Sequence, residues 1–236
     1  MVDPAPYRPV APGSQPPLDL PSYLSTAKRH PDAAPIRIPT TLTEASAPRF
    51  ATAWYAPHED LSVVDGRTAM GERIIVAGRV TDENGRPVPK AMVEVWQANA
   101  SGRYHHARDQ HDAPLDPNFL GRGRVFTDDD GSYRFTTIRP GAYPWRNPGP
   151  GWRPQHIHFG LHGAGFAQRL ITQMYFPGDP LLAFDAVFQG GGDAAARDRL
   201  VAVLDPALMQ PDWALAYRFD IVLRGREMTP TEEPHE

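Results

Sequence analysis

The chain has 236 residues with 24 basic and 28 acidic side chains, a formal net charge of −4, which removes the electrostatic case for nucleic acid as its main partner. Hydrophobic residues make up 41% and charged residues 22%, a mix that can bury a core and is not that of a disordered chain. Cysteine is absent, so disulfide scaffolds, thiolate metal sites and cysteine nucleophiles are excluded.

The start shows no charged segment followed by an apolar run, and no apolar stretch approaches the ~20 residues that span a bilayer. No membrane partner and a cytoplasmic location are therefore expected. Of the 27 prolines, 12 lie in residues 1–57. Fixed φ angles and missing donors at that density are incompatible with regular helix or sheet, so residues 1–60 read as an extended arm. The arm carries Tyr7, Tyr23, Phe50, Trp54 and Tyr55, which predicts that it packs against its own domain or a neighbouring chain rather than floating as a linker.

From Gly71 onward the texture becomes that of strands, and residues 61–236 read as one domain. Glu72–Asp82 is predicted as a strand ending at Asn84-Gly85, a strong hairpin signal. Ala91–Asn99 follows with Val93, Val95 and Trp96. The turn Asp130-Gly131 separates Gly123–Thr127 from Ser132–Arg139, and Gln155–Gly163 and Arg169–Pro177 are two further strands. One helix is predicted from an Asp193 N-cap, through Ala196, Leu200 and Leu204, to a stop at Pro206. Trp213–Gly225 then alternates, with Leu215, Tyr217, Phe219, Ile221 and Leu223 on one face. Short strands punctuated by Gly and Asx turns define an all-β fold, an antiparallel β-sandwich with long loops.

The chain has no phosphate loop, no nucleophile elbow and no His-Glu-x-x-His. Asp128-Asp129-Asp130-Gly131 lacks the bidentate glutamate of a calcium loop, because Thr137 stands there, and it reads as a hairpin turn. The informative stretch is Arg153-Pro154-Gln155-His156-Ile157-His158-Phe159. In a strand His156 and His158 share one face while Ile157, Phe159 and Leu161 supply core from the other. The pair is either two polar residues on a solvated face or two metal ligands. Nothing acidic lies between Asp130 and Asp179, so no local carboxylate completes a two-histidine-one-carboxylate site. That window holds Tyr143 instead, and Tyr104 stands upstream. Ionising a phenol of pKa ~10 at neutral pH costs about 4 kcal/mol; two phenolates would therefore favour a small, highly charged ion such as Fe(III). Taken singly, each tyrosine reads more readily as a sandwich core or loop residue than as a ligand.

Four motifs in order resemble the intradiol ring-cleavage dioxygenases: Gly71-Glu72-Arg73-Ile74-Ile75-Val76-Ala77-Gly78-Arg79-Val80, Val93-Glu94-Val95-Trp96-Gln97-Ala98-Asn99 after Pro87-Val88-Pro89, Pro140-Gly141-Ala142-Tyr143-Pro144-Trp145, and Arg153 through Phe159. The resemblance runs from about Leu20 to Gly225. It implies a sandwich of the transthyretin (prealbumin) type and a non-haem ferric ion on Tyr104, Tyr143, His156 and His158. By the same carry-over Tyr143 leaves the metal when a catechol chelates it. Arg153 stabilises charge on the substrate ring, Gln173 lies near the oxygen side, and Tyr23, Trp145 and Val187 line the pocket. Val187 departs from the isoleucine of close relatives by one methylene. His105-His106, with His111, also departs from the pattern and reads as a solvated loop rather than a second metal site.

The implied reaction inserts O2 between the two hydroxylated carbons of a catechol, giving a cis,cis-muconate without an external reductant. The Pro-rich arm fits the protocatechuate-cleaving branch, whose homologous α chain joins in an α–β hetero-oligomer. Catechol and hydroxyquinol enzymes of the family bring an N-terminal helical segment, and residues 1–60 have no 3.6-residue pattern. A catechol or hydroxyquinol 1,2-dioxygenase is the alternative within the class. A non-catalytic transthyretin-like binding module, taking up zinc on a surface histidine pair, is the alternative outside it.

Overall fold

The computed structural model describes residues 9–28, 30–33, 36, 55–146, 151–162 and 169–232. Tyr7, Phe50 and Trp54, three of the aromatic residues in the predicted arm, lie outside them. A short hairpin, β1 (Val63–Val64) and β2 (Arg67–Thr68), precedes the sandwich. The long strands are β3 (Arg73–Thr81), β4 (Met92–Trp96), β5 (Arg122–Phe126) and β6 (Ser132–Ile138). After the two-residue strands β7 (Tyr143–Pro144) and β8 (Trp152–Arg153) come β9 (His156–His162) and β10 (Arg169–Tyr175). The chain closes with β11 (Val203–Leu204), β12 (Leu215–Arg218) and β13 (Ile221–Val222).

One sheet has the order β10-β9-β4-β5, and the other is built on β3, with β6 on one side and β12 and β13 on the other. Their inner faces meet in a core that includes Val93, Val95, Ile157, Phe159, Met174, Ile74, Val76, Phe135 and Phe219, all at most 2% exposed. The predicted alternation of β9 places Ile157, Phe159 and Leu161 in that core, which turns His156 and His158 to the outer face.

The two hairpin signals act as corners between sheets. At Asn84-Gly85 the turn closes locally, with Asp82 N–H on Arg86 O at 2.9 Å and Gly85 at φ 74°. The chain then leaves β3 for β4 in the other sheet. Asp128–Gly131 likewise closes a turn, with Gly131 at φ 80°, and carries β5 across to β6.

Three expectations are corrected. The helix from Asp193 ends at Asp198: Leu200 packs beside Tyr175 and Phe188, and Leu204 belongs to β11. Sequence periodicity continued past the point where the backbone turned. Short helical turns also occur at Leu24–Lys28 in the arm, Pro180–Ala183, Ala186–Gln189 and Pro206–Leu208. Finally, Trp213–Gly225 is not one antiparallel strand. It divides into β12 and β13, both parallel to β3.

The division falls where Asp220 Oδ1 accepts the Arg79 N–H at 2.9 Å in place of a ladder carbonyl. Beside it the Phe219 carbonyl sits against Gly78, where a Cβ would stand only 1.9 Å from that oxygen. Tyr133 Oη donates to the same carbonyl. A side chain at position 78 would therefore push the kink out of the sheet.

Candidate metal centre

The outer face of β9 and its neighbours positions most of the site. In the antiparallel register His156 lies opposite Tyr175 and His158 opposite Gln173. On its other side His158 lies opposite Trp96 of β4, whose indole stacks on the imidazole at 5.0 Å and 6°. Strand pairing thus places two imidazoles, an amide and a phenol on one patch, with an aromatic wall.

The tyrosines reach this patch through two loops that touch at backbone distance. Gly102 has φ 78°, and a Cβ there would stand 2.1 Å from Ala142 O; one on Gly141 would stand 2.5 Å from Ala100 O. Only glycine permits such an approach. Asn99 organises the first loop, its Oδ1 accepting from Ser101 N and Arg103 N at 2.9 and 3.0 Å, while its backbone carbonyl accepts from Gly141 N of the second loop at 2.9 Å. Asp109 Oδ2 takes the Tyr104 N–H at 2.7 Å. In the second loop Tyr143 pairs with Arg153 across β7 and β8.

Four donor atoms converge as a result. Tyr143 Oη lies 3.3 Å from His156 Nε2, and Tyr104 Oη 3.2 Å from His158 Nε2. The phenol rings meet edge to face at 5.3 Å and the imidazoles at 4.9 Å. His156 Nδ1 donates to Pro154 O at 2.7 Å and His158 Nδ1 to Glu232 Oε2 at 3.0 Å. With both Nδ1 atoms so engaged, each Nε2 is turned toward a phenol.

Electrostatics hold His156 and both phenols neutral. Burial, and then the Arg153 charge, push the His156 pKa well below the usual histidine range. Burial, and then the neighbouring Tyr143, raise Tyr104 well above 10, and burial raises Tyr143 despite the opposing pull of Arg153. Each phenol therefore keeps its proton, within hydrogen-bond reach of an imidazole. Removing both protons requires a strong cation at the point where the four atoms meet.

Arg153 is 1% exposed and makes a buried ion pair with Asp185, Nε to Oδ1 at 3.1 Å and Nη2 to Oδ2 at 2.9 Å. Burial opposes its charge, but Asp185 together with the Tyr143 and Tyr175 phenols outweighs that and holds the guanidinium ionised. The same Nη2 donates to Gln173 Oε1 at 2.7 Å and Tyr175 Oη at 3.0 Å. Nη1 faces His156 Nε2 at 3.2 Å and Tyr143 Oη at 3.5 Å. Because a guanidinium only donates, the Gln173 oxygen must face it. That leaves the buried Gln173 Nε2 as a donor with no partner among the described residues.

Of the predicted pocket residues, Trp145 lies under Arg153 at 5.1 Å, and Tyr23, buried at 5% exposure, packs edge-on against Trp145 at 5.0 Å. Val187 is half-buried and lines a cavity with Tyr23, Leu20 and Gln173, beside the donor cluster rather than within it. His105 and His106 are exposed, and His111 lies edge-on to Trp152 at 6.1 Å. Arm residues 9–28 lie against the sandwich: Gln15 bonds to Met228 O and Thr231 N. Asp185, Tyr175, Glu232 and Asp109 escaped the sequence reading. Tyr175 alone had a signal, as it stands two residues after Gln173 on the strand facing His-x-His.

A family model described as Dioxygenase matches residues 45–225, and the chain belongs to that family, the intradiol dioxygenases. A second model, Protocatechuate 3,4-dioxygenase beta subunit N terminal, matches residues 7–41. The chain is 54% identical to the protocatechuate 3,4-dioxygenase beta chain of Burkholderia cepacia, over 93% of its own length and 94% of that protein's. It is 36% identical to the hydroxyquinol 1,2-dioxygenase of Rhizobium sp., over 53% of this chain and 43% of that enzyme. A solved hydroxyquinol 1,2-dioxygenase from Pseudomonas putida DLL-E4 superposes with TM-score 0.54 at 26% identity, over 89% of this chain and 72% of that one. Among the described residues no helix is long and apolar enough to cross a membrane.

Proposed function

We propose that this chain holds a mononuclear non-haem Fe(III) ion on Tyr104, Tyr143, His156 and His158. With it the chain cleaves protocatechuate (3,4-dihydroxybenzoate) with O2, between the two hydroxylated carbons, to 3-carboxy-cis,cis-muconate. The observation that carries this reading is the convergence of two phenol oxygens on two imidazole Nε2 atoms at 3.2 and 3.3 Å. Two anionic oxygens and two neutral nitrogens suit a hard trivalent ion. The buried carboxylates reach the site from behind, Asp185 on Arg153 and Glu232 on the Nδ1 of His158.

When bound, ferric iron draws electron density from a chelated catecholate and makes its ring reactive toward dioxygen. The protein's own groups do the rest. Tyr143 Oη, within reach of both His156 and Arg153, gives up its own proton to solvent on ionising beside the metal, and can then take up a catechol proton as a general base. Arg153, held ionised and aimed by Asp185, faces the negative charge that gathers on the ring. Gln173 Nε2, buried and unpartnered by the described residues, donates to an oxygen brought in by the substrates. Tyr23, Trp145 and Val187 wall the pocket.

The N-terminal match and the B. cepacia relative support a β chain that works beside a homologous α chain. In this reading residues 1–60 form the arm and 61–236 the catalytic domain. Oxygen uptake by the iron-loaded protein, co-purified with its α chain, tests the substrate. We expect one O2 consumed per 3,4-dihydroxybenzoate and slower turnover of catechol and hydroxyquinol. Preference for either of the latter moves the assignment to the 1,2-dioxygenases, and no uptake with any of the three contradicts it.

A further inference from the structure

We propose that Glu232 is a positioning residue for His158, and that residues 228–232 are a built part of the metal centre rather than a tail. The proposal rests on the iron reading above and adds a residue from the far end of the chain.

Glu232 is 6% exposed and His158 4%, so the contact between Nδ1 and Oε2 at 3.0 Å lies away from water. An acidic side chain is rarely buried unless a specific partner receives it. The segment that delivers it is fastened at nearly every residue. Thr229 N donates to Val222 O at 2.9 Å, and Glu232 N to Ile171 O at 2.6 Å. Thr172 Oγ1 donates to Pro230 O at 2.7 Å and Thr231 Oγ1 to Ile171 O at 3.1 Å. From the arm, Gln15 Oε1 accepts the Thr231 N–H at 2.9 Å. The segment therefore runs beside the edge strand β10 and sets the Glu232 carboxylate behind the imidazole.

The two histidines are consequently held differently. His156 Nδ1 meets a neutral backbone carbonyl, whereas His158 Nδ1 meets a carboxylate. Trp96, stacked within 6°, fixes the plane of the His158 ring but not its rotation within that plane. Glu232 supplies that second constraint: the Nδ1–H···Oε2 bond directs Nε2 at Tyr104 Oη. An acceptor held behind a ligating imidazole orients the ring, and loss of such a partner typically lowers metal affinity 10–100-fold.

Two conservative variants separate reach from charge. E232D keeps the charge but draws the carboxylate back by one methylene, and E232Q keeps the reach and an acceptor oxygen. Each full-length holoprotein is challenged with a graded ferric chelator, and the retained iron and the position of the visible band are recorded. We expect E232D to lose iron 10–100-fold more readily, with a displaced band. E232Q is expected to stay within about tenfold of the unsubstituted protein, its band in place. Retention by E232D within twofold of the unsubstituted protein overturns the proposal, as does E232Q falling as far as E232D. A colourless unsubstituted iron-loaded protein sinks the iron reading itself, and this proposal with it.

Discussion

Asp185→Ala is expected to destabilise the protein by about 3–5 kcal/mol, because it leaves the Arg153 charge buried without its partner. Both side chains of the pair are 1% exposed, so solvent cannot take the carboxylate's place. Asp185 Oδ2 also accepts the Phe188 N–H at 3.2 Å as N-cap of the turn Ala186–Gln189, and losing a cap adds to the effect. Urea denaturation of the metal-free protein measures the loss. The double variant D185L/R153M removes both charges while keeping apolar bulk. It should recover most of the stability, since replacing a buried ion pair by apolar residues is often neutral. A double variant as unstable as D185A would show that capping and packing, rather than the unpaired guanidinium, set the cost.

The second large effect is on rate. Arg153 ties together five groups of the site, Asp185, Gln173, Tyr175, Tyr143 and His156, yet it donates no lone pair to a metal. D185L/R153M is therefore expected to keep its iron and its visible band while kcat falls 10²–10³-fold, the usual cost of removing a preorganised charge from a reacting centre. Steady-state oxygen uptake on protein of matched iron content gives the number. Loss of the band along with activity would make Arg153 a structural support of the ligands instead.

Much of this site was legible because strands make spacing into geometry. His156 and His158, two apart, had to share a face once Ile157, Phe159 and Leu161 claimed the core. Tyr104 and Tyr143 carried no such rule. Their meeting depends on Gly102 and Gly141 allowing two loops to touch at main-chain distance, a tertiary fact without a local period. Asp185 and Glu232 were hidden for a related reason: each is an ordinary acidic residue until the fold sets it behind Arg153 or His158. In the fold, the alternation of Trp213–Gly225 holds for Tyr217, Phe219 and Ile221, which are buried, but not for Leu215, which is 41% exposed beside a buried Ala216. Its division at Asp220 follows from a side chain replacing a ladder bond, and its parallel pairing with β3 from the direction in which the chain re-enters the sheet; periodicity records neither. The helix from Asp193 was overextended for the converse reason, because Leu200 and Leu204 are apolar for packing and strand pairing rather than for a helical face.

The most direct test is a visible absorption spectrum of the iron-loaded protein before and after anaerobic addition of 3,4-dihydroxybenzoate. A phenolate on Fe(III) gives a charge-transfer band, so the account predicts a red-brown protein whose band shifts when the catechol is added. A colourless protein with one iron bound per chain would contradict it.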